Sequence, residues 1–399
     1  RAFYIMSAIK VSGTGCCLVD ILYNDINFRE DKLRKYMSIK RGDGGLSPGH
    51  LVFREEFEEF CKKTFDTALN EITGGRKPDK INIGGPSIVS LINITQMADI
   101  NQCEVRFYGR GGNDEPGRFL IESLRKTKVH LSDFRLIDKA TPSTVVLSDP
   151  GYENGHGERM FINSIAAAWE YGHEDLPGDF FEADLTVFGG TGLVPGIHDN
   201  MTSLLRKAKK KGCRTIVNTV FDFRNEKRNP GQRWPFGEND ESYSLTDLLI
   251  ADKEEALRLS GAESIDSALK FFVGKKTASV IITDGSNEIT AWSDGSFFAE
   301  KGMFRLPVSE KITEELKYNR EGDTTGCGDN FAGGVMASLI NQINAGNKMP
   351  ELREACMRGI VSGGYTCFYL GGTYFEEVPG EKQKKIEPYY AAFREQIKG

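Results

Sequence analysis

The chain has 399 residues, with 51 Lys and Arg against 57 Asp and Glu, a formal net charge of −6. That length can bury a large core, as one big α/β domain or two smaller ones. The acidic balance disfavours a nucleic-acid binder, whose phosphate contacts need a basic face. The one dense basic run, residues 206–211, closes a helical pattern before Gly212, where cations suit the helix dipole. No apolar run in the sequence reaches membrane-spanning length, and the start carries no signal-peptide pattern. The eight Cys (16, 17, 61, 103, 213, 327, 356 and 367) contain no CxxC spacing and read as reduced, mostly core thiols. We therefore expect a cytoplasmic protein with no nucleic-acid or membrane partner. The His residues are scattered, which leaves no metal cluster in view.

Taken in order, Val11 to Asp20 (VSGTGCCLVD) reads as one buried strand ending in an acid. Ile21 to Phe28 (ILYNDINF) alternates as a second strand. Residues 41–49 (RGDGGLSPG) are turn material. Leu51 to Thr73 reads as a single amphipathic helix, with Phe57, Phe60, Cys61, Ala68, Leu69 and Ile72 sharing one face. Ile81 to Met97 is a strand stub, the pair Gly84-Gly85, and a helix with Pro86 in its first turn. Val105 to Leu124 gives a strand, a glycine turn and a helix, with Asp114 as a turn and cap residue. Thr144 to Leu147 and Glu158 to Asn163 are short strands around a hairpin, residues 149–157, whose tip carries a solvated His156.

From there strand and helix alternate. Leu185–Phe188, Thr215–Val220, Leu248–Asp252 and Ser279–Thr283 are strands; Thr202–Lys211 and Glu254–Ser260 are helices; residues 221–235 form a loop dense in Asp, Arg and Asn. Such alternation means βαβ units and a parallel sheet. Ligands of such sheets bind at the strands' carboxyl ends, where Asp20, Gly84, Asp252 and Gly285 fall. Glu351 to Leu370 is the last core helix, and a polar tail with a short helix follows Gly371-Gly372.

The most specific stretch is Asp323-Thr324-Thr325-Gly326-Cys327-Gly328-Asp329-Asn330-Phe331-Ala332-Gly333-Gly334. Two glycines around one small residue allow a tight turn with several N–H groups on one side. The helical pattern of Phe331, Val335, Met336, Leu339 and Ile340 follows at once, so amides and helix dipole converge on an anion site. A carboxylate beside a bound phosphate makes sense as acceptor of a proton from an attacking hydroxyl. Taken alone, Gly-x-Gly-Asp is equally a glycine turn with Asp329 as a helix cap.

The whole stretch resembles the C-terminal signature of the ribokinase-like (PfkB) carbohydrate kinases. That resemblance covers nearly the whole chain outside residues 29–80 and the tail after Gly372. It implies a three-layer α/β/α domain over residues 1–372, a mostly parallel sheet and a small β lid from residues 21–28 and 141–165. Residues 29–80 would be an insertion packed on the domain, with a homodimer interface as one role for it, and 373–399 a C-terminal tail. The implied reaction is transfer of the γ-phosphoryl of ATP, with Mg²⁺, to a hydroxyl of a small sugar or sugar acid. A nucleoside kinase would share every phosphate-handling motif, and a catalytically inactive sugar-binding protein is the further alternative.

By the same resemblance Asp329 is the base, and Gly326, Cys327 and Gly328 form the anion hole. Asp20, Gly84, Gly85 and Arg159 meet the acceptor. Thr283, Gly285 and Thr325 join Gly326 and Gly328 around the nucleotide, and residues 306–320 run beside the adenine. Glu255 and Asp252 serve Mg²⁺ through water, although a capping box explains the pair locally. Val89 stands where the family usually has a sugar-binding Asn, which predicts either that another polar group, such as Asn93, takes that bond or that the acceptor presents an apolar edge there.

Overall fold

The computed structural model describes residues 8–40, 42–152, 158–319 and 322–398. His156 and the last residue of the adenine-side stretch lie outside them. Its strands are β1 Ile9–Gly15, β2 Leu18–Tyr23, β3 Leu51–Phe53, β4 Lys80–Gly84, β5 Cys103–Gly112, β6 His130–Ile137, β7 Ser143–Asp149, β8 Glu158–Ser164, β9 Leu185–Gly189, β10 Arg214–Asn218, β11 Leu248–Asp252, β12 Ser279–Thr283, β13 Ile289–Ser293 and β14 Gly302–Leu306.

Nine of them make one sheet in the order β14-β13-β12-β11-β10-β9-β1-β5-β6. Every pairing from β12 through β6 is parallel, and β13 and β14 add an antiparallel edge. Both faces are covered, as near-continuous apolar strands require. Leu248 and Ile250 face a core shared with helices Pro86–Met97, Cys327–Asn344 and Leu352–Tyr365. Leu249 and Ala251, one residue out of phase, face the opposite core with helices Met201–Lys210 and Ile265–Gly274. The result is the three-layer α/β/α architecture with a mostly parallel sheet.

The other five strands form a second sheet in the order β3-β8-β7-β2-β4. The single strand expected over Val11–Asp20 is two strands in two sheets. Gly15 explains the break: its φ is +130°, and a Cβ there would sit 1.9 Å from the Gly189 carbonyl oxygen. The chain turns at this point, Cys16 N donates to Gly189 O (2.8 Å), and β2 leaves for the small sheet. Asp20 therefore lies mid-strand in the small sheet, opposite Asn82, and the second strand ends at Tyr23 rather than continuing to Phe28.

Leu51–Thr73 is likewise not one helix. Leu51–Phe53 is strand β3, paired in parallel with β8, and helices Arg54–Cys61 and Phe65–Thr73 follow. Lys62 in the left-handed region (φ +55°) stops the first helix, and Thr64 caps the second. The insertion thus completes the small sheet and packs on it. Phe57, Ala68 and Ile72 share a buried cluster with Leu147, Met160 and Ile162 of β7 and β8.

Residues 373–399 are more than a tail. Helix Glu381–Lys398 buries Ile386, Tyr390 and Phe393 in the main core, and Lys382 is fully buried. The expected loop at 221–235 contains helix Phe223–Arg228, and the last core helix ends at Tyr365, followed by a 3-10 turn Thr366–Phe368.

Phe57 is fully buried against β7 and β8. Phe57→Ala should lower unfolding free energy by about 3–5 kcal/mol, as for other core aromatic truncations. Urea unfolding monitored by circular dichroism checks this, and a loss under about 1 kcal/mol would mean the insertion is not integral to the small sheet.

Candidate active site

Helix Cys327–Asn344 starts at Gly326, whose left-handed φ of +75° and close approach to Gly372 Cα (2.4 Å from a built Cβ) exclude any side chain. Cys327 N donates to Thr324 O (3.3 Å), which closes the turn. Among the described residues the next two amides, Gly328 and Asp329, have no protein acceptor, so they are the helix's free donors. Gly328 is exposed, its φ is not positive, and nothing lies within 4 Å of its built Cβ. The expected glycine turn is therefore Gly326's work, and Gly328 contributes open space in front of the amides.

Asp329 is half-buried, and burial pushes its carboxyl up to about 7 from 3.8. Asp20 is buried, and its carboxyl is pushed up to about 7, first by burial and then by Asp329 and Asp323; Arg159 opposes the shift. The lid sheet and the anion loop therefore bring their acids into one field. Gly84 stays bare because the Asp20 carboxylate would lie 2.0 Å from its Cβ. Gly85, with φ +106°, is the cap of the helix that begins at Pro86.

Arg159 reaches from β8 of the lid to the anion loop. Its guanidinium donates to Thr325 Oγ1 (2.7 Å) and Thr324 Oγ1 (3.0 Å), and sits 3.8 Å from the Asp323 carboxylate. Asp323 in turn accepts from Thr325 N (3.0 Å) and Gly371 N (3.3 Å), so one carboxylate orders both loops around the helix start.

The expected nucleotide side lies along the same sheet edge. Asp252, Lys253, Glu254, Leu257, Thr283, Asp284 and Gly285 line an open cavity of about 290 Å³. Asp252 and Glu255 do form a capping box: Glu255 N donates to Asp252 Oδ1 (2.8 Å) and Asp252 N to Glu255 Oε2 (3.1 Å). Glu255 Oε2 also accepts from Thr219 Oγ1 (2.5 Å). Burial, then Asp252, pushes Glu255 up to about 8, and Asp329 adds to the shift. No group of three or more His, Cys, Asp or Glu that could hold a metal occurs among the described residues.

Two expectations about the helix after Gly85 change. Val89 is buried in the core beside Gly372, so its side chain packs under the anion loop. Asn93 is buried too, and is already committed. Its Nδ2 donates to Asn330 O (2.7 Å) and Ser362 Oγ (2.8 Å), and its Oδ1 accepts from Lys382 Nζ (2.7 Å). Lys382 Nζ donates also to Asn330 Oδ1 (2.6 Å), while Asn330 Nδ2 donates to Gly326 O (2.9 Å) and Gly372 O (2.8 Å). Sequence reasoning missed this network, because Lys382 lies in what reads as a polar tail. It also missed Asn163, Ser87 and Asn218, each with a buried side-chain oxygen that has no protein partner. The position of Asn218 at the carboxyl end of β10 was the available signal.

Two measurements probe this arrangement. Lys382→Met would leave Asn93 Oδ1 and Asn330 Oδ1 without their ammonium donor. About 1–3 kcal/mol of stability should be lost for each stranded acceptor, read by urea unfolding. For Asp329, a folded-state value raised above the unfolded one favours the protonated fold, so ionisation costs stability as pH rises from 3.8 towards 7. Asp329→Asn should therefore melt higher than wild type at about pH 8, and the gain should vanish near about pH 3. Equal gains at both would mean the Asp329 carboxyl is not desolvated.

Comparisons with known proteins bear on the fold and the family. The chain is 22% identical over 251 residues to 2-dehydro-3-deoxygluconokinase of Bacillus subtilis, covering 58% of this chain and 68% of that protein. It is 28% identical over 256 residues to adenosine kinase of Schizosaccharomyces pombe, covering 58% of this chain and 66% of that one. The fold matches Schistosoma mansoni adenosine kinase solved with 2-fluoroadenosine, with a TM-score of 0.66 and 18% identity over 94% of this chain and 98% of that one. It also matches a putative ribokinase II of E. coli solved with ATP and Mg²⁺, with a TM-score of 0.61 and 18% identity over 96% and 99% of the two chains. Residues 80–377, which hold the anion loop, the lid arginine and the cavity beside Asp252, match the pfkB family carbohydrate kinases, and the chain belongs to that family.

Proposed function

We propose that the protein transfers the γ-phosphoryl of ATP to a hydroxyl of a small sugar or sugar acid, with Asp329 as the base. The observation that carries this reading is the Asp329 carboxyl, raised to about 7 by burial in the first turn of a helix whose adjacent amides are free. A base poised near neutrality can accept the hydroxyl proton, and the amides of Gly328 and Asp329 can meet charge on the phosphoryl oxygens. Cys327 contributes its place in the turn rather than its amide, which already bonds Thr324. Asp20, held against bare Gly84 beside Gly85, supplies a carboxylate for acceptor hydroxyls. Arg159 brings positive charge from the lid to Thr324 and Thr325.

The residues fit the nucleotide. Gly285 has φ +58° with nothing within 4 Å of its built Cβ, so the Thr283–Gly285 turn offers open backbone beside the Asp252 cavity. They fit Mg²⁺ at one remove: Glu255, raised to about 8, and Asp252 are acids beside a cavity whose Lys253 is paired with Asp284 (3.1 Å), but their oxygens already serve the helix cap. Glu255 and Asp252 would hold the ion's water shell, and Mg²⁺ when bound supplies neutralisation of the phosphate oxygens.

Asp329→Asn should reduce turnover by about 10²–10⁴-fold, the range of a lost general base, with ATP affinity nearly unchanged. Near-normal turnover would remove Asp329 from the role. Acceptor-dependent ADP release with fructose, 2-keto-3-deoxygluconate, ribose and adenosine separates the acceptor classes. We expect kcat/KM highest for one of the first two, and a clear preference for adenosine would establish the nucleoside reading instead.

A further inference from the structure

Cys327, inside the anion loop, and Cys367, in the turn after helix Leu352–Tyr365, are forty positions apart in sequence, yet their sulfurs are 3.3 Å apart. Both are partly exposed, whereas Cys16, Cys17, Cys103, Cys213 and Cys356 are buried. Cys61, the other partly exposed thiol, points to its own helix end, with Glu58 O and Lys63 O as acceptors. The two loops are zipped together next to the sulfur pair: Asp323 N donates to Tyr369 O (3.3 Å), and Gly322 packs so closely that a built Cβ would lie 2.0 Å from Cys367 O. A covalent link between them would therefore join two loops that are already in contact.

We propose that Cys327 and Cys367 are a site of reversible oxidation by peroxides, forming a disulfide that misaligns the anion loop and halts phosphoryl transfer. The proposal rests on the reading of Gly328 and Asp329 as the phosphate-facing amides. Contact with Cys327 lowers the Cys367 thiol, against the opposing effect of burial, while Cys327 is raised well above the ordinary value, chiefly by the same contact and then by burial. Either sulfur of the touching pair can attack peroxide and the other close the disulfide, with Cys367 first in one order. Its thiolate displaces hydroxide from the O–O bond to give a sulfenic acid, and the displaced oxygen takes up a proton as water. The Cys327 sulfur then attacks the sulfenic sulfur, the S–O bond breaks, and a second water leaves. Two thiols and one hydrogen peroxide thus give one disulfide and two waters, and a dithiol reductant reverses the step.

The consequence follows from distance. A disulfide needs its sulfurs at about 2.05 Å, so the pair must close by more than an ångström from 3.3 Å. Cys327 is the first residue of the helix, and Gly328 and Asp329 follow it directly. Displacements of about 1 Å in reacting groups can cost on the order of 10²-fold in rate.

The test uses the full chain. Reduced protein is treated with hydrogen peroxide, then digested without reductant and mapped by mass spectrometry, while ADP release is followed with the best acceptor. We expect a linked Cys327–Cys367 peptide, turnover reduced by at least about tenfold in step with the linkage, and recovery with dithiothreitol. Cys367→Ala should keep the turnover of reduced wild type and lose the peroxide sensitivity. Absence of the linked peptide, a linked protein with full turnover, or undiminished sensitivity in Cys367→Ala would each overturn the proposal. The reduced wild type is the separate control on the kinase reading: if it releases no ADP with any acceptor, that reading fails, while the linked peptide still reports on the sulfur pair.

Discussion

Asn330, one residue beyond Asp329, uses both ends of its side-chain amide to hold the anion loop. Its nitrogen donates to the carbonyls of Gly326 and Gly372, and its oxygen accepts from the buried ammonium of Lys382. Gly326 needs such a hold, since a left-handed residue at a helix start has no side chain of its own to fix it. The loop is thus pinned from behind by three segments far apart in sequence: the helix that carries Asn93, the Gly371-Gly372 turn and the C-terminal helix. Lys382 is tolerable there because burial lowers it to about 7, and because both of its asparagine partners offer oxygens at short range.

The front of the loop is set by the lid. Arg159 spans from β8 to Thr324 and Thr325, and Asp323 lies within its field. The insertion reinforces the same contact from the other side of the sheet. It supplies β3 beside β8, and Phe53 at the end of β3 meets Phe223 of the main domain edge-on, with ring centroids 6.4 Å apart. Glu56 pairs with Lys227 alongside. The strand that carries Arg159 is therefore held at its neighbour as well as at its tip, and the lid and the body are joined on two sides of the cleft.

Much of this was legible in the sequence, and the exceptions have a common cause. The parallel sheet, the helix start at Gly326 and the Gly84-Gly85-Pro86 junction follow from local signals: alternation of strand and helix, glycine spacing, proline in a first turn. Leu248–Asp252 and Ser279–Thr283 agree to the residue. What local signals could not reveal were effects decided by distant partners. The Val11–Asp20 stretch reads as continuous because its apolar run is continuous, yet Gly15 must turn against Gly189, far along the chain. Leu51–Phe53 has a helical neighbour but is claimed as a strand by β8. Lys382 looks like surface charge until its helix docks, and Val89 looks like a lost sugar ligand until Gly372 is seen against it. Glu255 illustrates the reverse: the local capping reading and the acidic pocket are both present in the same side chain.

The acids of the cleft give the proposed chemistry its constraint. An ordinary aspartate near 3.8 would be a weak base for an alcohol proton, whereas one near 7 stays about half ionised at neutral pH and gains proton affinity. Burial provides that shift for Asp329, and burial is also the first cause of the rise at Asp20 and Glu255. Three raised carboxyls facing one cleft cannot all ionise cheaply around a polyanionic phosphate. Arg159 offsets part of the charge at Asp20 but does not figure among the groups that act on Glu255. A divalent cation brought in with the nucleotide phosphates would act where Arg159 does not reach.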